Sequence, residues 1–280
     1  MTKATIDDVR RTVQGICKMD VRSLDAMERI ACEEFLSKEI TREEWLLKLR
    51  KHSSVYASGH SPCEKVSDYC YDGSNVLKNK LKLTDKGRLY AVENAVATFR
   101  IEEILQHGTI RINQFGINTL SRLHAFVFGD IYSFAGKFRL EDIARDGSRF
   151  CPKETIKMEL TKLSQGIIRG GNFALDDLGR FVQHISAVHA VLNSIHPFRD
   201  GNCRTIRLFL TILARNAGYE LEYSLFDKEK QIEADRASMK GDSRFLTMMY
   251  SQITVPYEGN FIVEFADEGE ILPPLDELIS

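Results

Sequence analysis

The sequence predicts an all-α fold, a bundle of helices carrying one small β-hairpin and preceded by a separate helical unit. Three observations carry this prediction. Apolar residues recur at helical spacing through most of the 280 residues. The clearest stretch of short alternating runs flanks an Asp146-Gly147 turn signal. The first fifty or so residues form a charged amphipathic run, set off from the remainder by a segment without periodicity.

From Ile6 to about Arg50, apolar positions at Val9, Val13, Ile16, Ile30, Phe35, Ile40, Trp45, Leu46 and Leu49 predict two or three short helices. Residues 51–73 carry Ser, Gly, Pro, Tyr and Cys without a period and read as a connector. Helices then follow over Arg88–Gln106, Ile117–Ile131 and Pro152–Ile168, with the hairpin at residues 138–150. Asp176 or Asp177 caps the next helix, whose apolar face is Phe181, Ile185, Val188, Leu192 and Ile195. Another helix holds Ile206, Phe209, Leu210 and Leu213 and stops at Gly218. The expected organisation is a helical module over 1–50, the connector, a main domain over 74–255, and an acidic tail or linker over 256–280 that contains Pro273-Pro274.

Composition excludes several function classes. The 38 basic and 40 acidic residues are interspersed and leave a net charge of -2, which gives no footprint for nucleic acid or an anionic membrane. No run reaches the length of a membrane span, and the first residues lack the apolar stretch of a secretory signal, so folding in a bacterial cytoplasm is expected. The six cysteines form no C-x-x-C pair, which argues against a zinc site or a disulfide framework.

Chemistry concentrates in His196-Pro-Phe-Arg-Asp-Gly-Asn-Cys-Arg-Thr-Ile-Arg207, a loop that opens a helix. Backbone N–H groups at such a helix start converge on one spot and favour an anion. The same twelve residues supply a possible base (His196), a carboxylate able to hold a hard divalent cation (Asp200), an amide (Asn202) and two guanidiniums one turn apart (Arg204, Arg207). One at a time these residues have plainer readings: His196 a satisfied histidine at a helix end, Phe198 a core residue, Arg199 a solvated cation. Their joint occurrence at a helix entrance is what points to an oligophosphate with Mg²⁺.

The segment resembles the Fic family signature H-x-F-x-[DE]-G-N-G-R-x-x-R, matched at His196, Phe198, Asp200, Gly201, Asn202, Arg204 and Arg207. The likeness extends over roughly residues 69–255, through YCYDGSNVLKNKL, LHAFVFGDIYSFAGKFR and EADRASMKGD, and is closest to Fic domains of bartonella-type effectors and conjugation toxins. It implies a helical Fic fold whose hairpin is a flap over the site, and an enzyme that moves AMP from ATP to a Tyr, Thr or Ser hydroxyl of a target protein. In that reading His196 is the base and Asp200 the Mg²⁺ ligand. Gly201, Asn202, Cys203, Arg204 and Arg207 hold the nucleotide, and Phe198 anchors the loop from beneath. Leu140, Glu141, Asp142 and Ile143 dock the target by strand addition.

Cys203 stands where the family has its second glycine. This departure keeps open transfer of another phosphate-containing group, or a non-catalytic protein-binding scaffold. Residues 6–50 resemble a small antitoxin fused in front of the toxin, although the run GICKMD lacks the Glu of the inhibitory [ST]-x-x-x-E-[GN] motif. A match at Thr254–Gly259 contains Pro256, which a helix would not hold. The resemblance also implies delivery into a host or recipient cell as one setting for the activity.

Overall fold

The computed structural model describes residues 6–17, 24–52, 67–107, 111–112, 114–145, 147–259 and 264–265. Residues 53–66 of the predicted connector, Asp146 of the predicted turn and most of the predicted tail, with Pro273-Pro274, lie outside the described residues.

Three helices come first: α1 (Ile6–Cys17), α2 (Ala26–Leu36) and α3 (Arg42–His52). A capping box starts α2, where Asp25 Oδ1 accepts the Glu28 N–H at 2.9 Å and the Glu28 carboxylate accepts the Asp25 N–H at 3.0 Å. Thr41 and Glu44 make the same reciprocal pair at the start of α3. Helix α4 (Lys86–His107) is the axis on which these helices pack. Its Phe99 lies 5.0 Å from the ring of Trp45, which in turn stacks on Phe35 at 4.7 Å.

Along most of α4 side chains are buried on every face, among them Glu93, Asn94, Thr98, Arg100 and Glu102. Each polar side chain in such a helix needs a partner. Arg100 pairs with Asp130 and Glu103, both at 2.8 Å. Glu102 receives Arg10 of α1 at 3.3 Å and Arg29 of α2 at 3.5 Å. Helices α1 and α2 are thus fastened to α4 by a buried carboxylate, and α3 by the apolar contact of Trp45 with Phe99. Val9, Val13, Ile16, Trp45 and Leu49 belong to the same continuous core as the remainder of the chain.

Next come β1 (Arg111–Ile112) and α5 (Ile117–Phe128). Helix α5 ends three residues before the predicted Ile131, because the N–H groups of Ile131 and Tyr132 both turn back to the Phe128 carbonyl at 3.0 and 2.9 Å. The predicted hairpin is present but small: β2 (Ala144–Arg145) runs antiparallel to β3 (Ser148–Arg149). A 3₁₀ turn at Lys153–Thr155 leads into α6 (Ile156–Arg169).

Helix α7 (Leu178–Ile195) is capped by Asp177, whose Oδ1 accepts the Arg180 N–H at 2.9 Å; Asp176 instead takes His184 Nδ1 at 2.6 Å. Helix α8 (Asn202–Asn216) follows, then β4 (Tyr219–Leu221), α9 (Lys228–Met239), α10 (Arg244–Ile253) and β5 (Thr254–Pro256). Strand β5 pairs antiparallel with β4, so the motif-like stretch from Thr254 begins as strand, as its proline implies. Strand β6 (Glu264–Phe265) lies parallel to β1. Helix α8 packs on α5 and α7, which brings the predicted loop between them to the middle of the bundle.

Candidate nucleotide site

Helix α7 ends on His196, which adopts the left-handed conformation at φ 47°, ψ 62°. A non-glycine residue pays roughly 1–2 kcal/mol for this geometry, so the surroundings must impose it. Arg139 does much of that. Its buried guanidinium donates from Nε to the His196 carbonyl at 2.9 Å and from Nη2 to the Ile195 carbonyl at 3.2 Å, closing the open end of α7. The Arg139 N–H donates to the Pro197 carbonyl at 2.9 Å.

The loop then folds back on its own amide. Asn202 accepts the Phe198 N–H at 2.9 Å and donates to the Phe198 carbonyl at 2.8 Å. Both the oxygen and the nitrogen of its side chain thus help to close the loop. The Gly201 N–H donates to Asp200 Oδ1 at 2.7 Å, and the amides of Asn202 to Arg204 form the first turn of α8. Gly201 itself sits at φ 77°, and a Cβ there would come within 2.5 Å of the Phe128 ring. Both facts require glycine.

Cys203 lies in the first turn of α8 and is absent from the positive-φ residues. The backbone at this position is helical, so the freedom of a glycine is not demanded there. Its half-buried sulfur sits 4.0 Å from Nη1 of Arg145 on the hairpin.

Phe198 is fully buried and stacks on His124 of α5 at 3.8 Å. The His124 ring accepts the Gly136 N–H on Nδ1 at 2.8 Å, which leaves the proton on Nε2 to donate to the Asp200 carbonyl at 2.9 Å. Burial pushes this imidazole down to about 4, so it is neutral at pH 7. Arg199, expected to be solvated, is buried: its Nε lies 2.6 Å from Glu141, and its guanidinium lies over the Tyr69 ring at 5.8 Å.

The two motif arginines are buried too and have separate surroundings. Arg204 pairs with Glu93 and donates to Asn94 Oδ1 at 3.1 Å, both on α4, with Phe128 4.7 Å from its guanidinium carbon. Burial raises Glu93, and the Asp200 charge adds to this; Arg204 and the Tyr132 hydroxyl, which donates to the other Glu93 oxygen, pull it down. Arg207 donates from Nη1 to the Ile16 carbonyl in the last turn of α1 at 2.8 Å.

His196 is 4 % exposed and stacked against the Phe150 ring at 4.0 Å with planes 14° apart. Burial holds its imidazole well below the usual value, helped by the Arg145 and Arg139 cations, while the Asn193 carbonyl works the other way. A neutral imidazole beside the start of α8 can take a proton at neutral pH.

Of the expected docking residues, Leu140 is 77 % exposed. Glu141 is held by Arg199 and by Ser67 Oγ at 2.8 Å, and Asp142 accepts the Lys153 N–H at 2.9 Å. The Ile143 carbonyl accepts the Phe150 N–H at 3.3 Å and closes the base of the hairpin. Leu140 is tied as well, its N–H donating to the Tyr69 hydroxyl at 3.0 Å, but its side chain is presented outward. His124, Arg139, Glu93, Asn94 and Tyr132 are not indicated by the motif; the signal for Glu93 and Asn94 is their place inside an apolar run of α4, where a polar side chain must be partnered.

Among the described residues no group of three or more His, Cys, Asp or Glu forms a metal cage, and no helix is long and apolar enough to cross a membrane.

The sequence profile of the Fic/DOC family matches residues 114–214, which span α5 through most of α8. The protein adenylyltransferase VbhT of Bartonella schoenbuchensis is 33% identical over 189 residues, which cover 64% of this chain and 39% of VbhT; the chain thus corresponds to about two fifths of that protein. The BepC protein of Bartonella tribocorum, solved with bound AMPPNP, superposes with a TM-score of 0.64 at 25% identity over 68% of this chain and 97% of that one. The y4lH protein of Sinorhizobium fredii is 32% identical over 174 residues, which cover 62% of this chain and 88% of y4lH. With a relative matched along nearly its whole length and the signature loop folded between α7 and α8, the chain belongs to the Fic/DOC family.

Proposed function

We propose that this chain is a protein adenylyltransferase that moves AMP from ATP to a hydroxyl of a target protein. The observation that carries the reading is His196, a buried neutral imidazole fixed at the end of α7, directly before the anion-binding start of α8. VbhT bears the name of this activity, and BepC was solved with an ATP analogue. In the proposed step the target oxygen bonds to the α-phosphorus, the bond to the bridging β-oxygen breaks, pyrophosphate leaves, and His196 accepts the hydroxyl proton.

Asp200 fits a divalent cation of the Mg²⁺ kind, because a single carboxylate plus substrate phosphates is its usual protein environment. Bound there, Mg²⁺ would offset the charge of the triphosphate. Gly201 and Asn202 shape the loop; the amides of Asn202, Cys203 and Arg204 meet phosphate oxygens. Arg204 and Arg207 supply positive charge at the floor and far end. The helical backbone at Cys203 removes the conformational part of the reason for reading the chain as an inactive scaffold.

Target docking belongs to the hairpin edge and the exposed Leu140, with backbone pairing to an extended segment. Delivery into another cell is part of this proposal only by analogy with BepC, which is named a VirB-translocated effector.

The α1–α3 unit is proposed to restrain the site. No glutamate meets Arg207 from α1; the C-terminal end of α1, where helical carbonyls carry partial negative charge, does so through Ile16. Removing residues 1–50 would strip Trp45, Leu49 and Ile16 from the core, so a local wedge is the cleaner test. A Cβ on Gly15 would come within 3.0 Å of Tyr223, and Gly15→Val should lift the end of α1 and raise transfer. No rise, with the fold intact, sinks the restraint.

ATP labelled at its α-phosphate decides the main reading. Label in a protein band, lost in His196→Ala, supports AMP transfer. Label arriving only from the γ-phosphate would make the chain a kinase instead.

A further inference from the structure

Arg204 is held from α4 and α5 with more contacts than charge balance alone would call for. Glu93 takes its Nη2, Asn94 takes its Nη1 at 3.1 Å, and the Phe128 ring covers it at 4.7 Å. Glu93 is itself steered, since the Tyr132 hydroxyl donates to its second oxygen, and the Tyr132 ring is stacked on Phe134 at 4.6 Å. A buried ion pair rarely adds net stability over an apolar pair of similar size. What such a pair does supply is a fixed direction for a planar, forked guanidinium.

We infer that Glu93 is a positioning residue of the nucleotide site, aiming Arg204 at the bound phosphates, with Tyr132 setting the aim of Glu93. The inference rests on the nucleotide-binding reading of the loop. It has an unusual sign. Glu93 is an anion close to a site for anions, so electrostatics alone predicts that neutralising it tightens nucleotide binding. Positioning predicts the reverse, because a guanidinium released from Glu93 no longer holds the geometry that phosphate needs.

The test is titration calorimetry of the full chain with ADP–Mg²⁺ and ATP–Mg²⁺, on the parent, Glu93→Gln, Tyr132→Phe, Arg204→Gln and the two doubles with Arg204→Gln. Glu93→Gln is expected to weaken binding roughly tenfold at unchanged stoichiometry, and Tyr132→Phe by about threefold. Neither should weaken it further in the Arg204→Gln background, because their effect passes through that side chain. A merely structural role would lower the fraction of competent molecules and leave the affinity of the remainder alone.

Tighter or unchanged binding in Glu93→Gln overturns the inference, as does an equal loss with and without Arg204. Tyr132→Phe keeps the ion pair intact and serves where Glu93→Gln does not fold. A parent that binds neither nucleotide overturns the function proposed above, which the same titration separates from a failure at Glu93 alone.

Discussion

The loop from His196 to Arg207 and the hairpin that faces it are built on opposite terms. In the loop, Asn202 is bonded twice to Phe198, Asp200 is held through its carbonyl by His124, and Arg204 is gripped by Glu93 and Asn94. The hairpin has two-residue strands, exposed Ala144 and Arg145, and Leu140 open to solvent. Its firm points lie at its root, where Arg139 and the Glu141–Arg199 pair tie it to the loop. Phosphate chemistry needs groups fixed in advance, whereas pairing with a variable segment needs an edge left unsatisfied. Under the proposed function the contrast divides the labour: one wall would set the reaction, the other would accept the protein to be modified.

Four experiments press on that division. His196→Ala removes the proposed proton acceptor and should lower transfer by about 10²–10⁴-fold, the usual worth of a positioned base. Loss of nucleotide affinity in the same variant would show that the ring also builds the loop. Gly201→Ala meets a positive φ and a 2.5 Å approach to Phe128 together, and should cost on the order of 2–4 kcal/mol by chemical denaturation. A loss near zero would mean that the loop is softer than its hydrogen bonds imply.

Acid should act on the rigid wall next. His124, His189 and His196 all have folded values below the ordinary histidine range because burial disfavours their charged forms. The unfolded chain therefore binds more protons once pH falls below about 6.5, and stability drops as pH falls. For His124, lowered to about 4, the loss by pH 5 is on the order of 2 kcal/mol. Melting curves at pH 7 and pH 5 read it, and a melting temperature that rises on acidification would contradict buried neutral imidazoles. The smallest effect on stability belongs to the flap. Leu140→Asp should stay within about 0.5 kcal/mol of the parent and leave ADP affinity alone, yet reduce labelling of a target protein. Unchanged labelling would remove Leu140 from the docking edge.

Much of the helical scaffold was legible because burial repeats with the helix. Val9, Val13 and Ile16 mark α1, and Phe181, Ile185, Val188, Leu192 and Ile195 all lie on the buried side of α7. The signature loop was legible as a cluster of residue types, and its placement between two helices followed from the flanking periodicity. Individual roles were less so. Asn202 and Gly201 have donors and acceptors that suit a phosphate, but the folded loop uses the Asn202 side chain and the Gly201 amide on itself. Arg199 looked solvated since nothing nearby in sequence pairs with it; its partner Glu141 comes from the flap. Long-range pairs of this kind, Glu93 with Arg204 above all, carry no local pattern. Cys203 illustrates the converse: a glycine in a motif suggests a special backbone, while the dihedral at that position is ordinary.

The bond between Arg207 and Ile16 engages a main-chain oxygen, an atom every amino acid possesses. Replacing Ile16 by another helix-compatible residue leaves that acceptor where it is, so the clasp does not depend on which side chain stands at that position. A restraint of the proposed kind would need no side-chain signature in α1. Under the proposed restraint, release would come from displacing the last turn of α1 as a unit, a lever that answers to the placement of the segment.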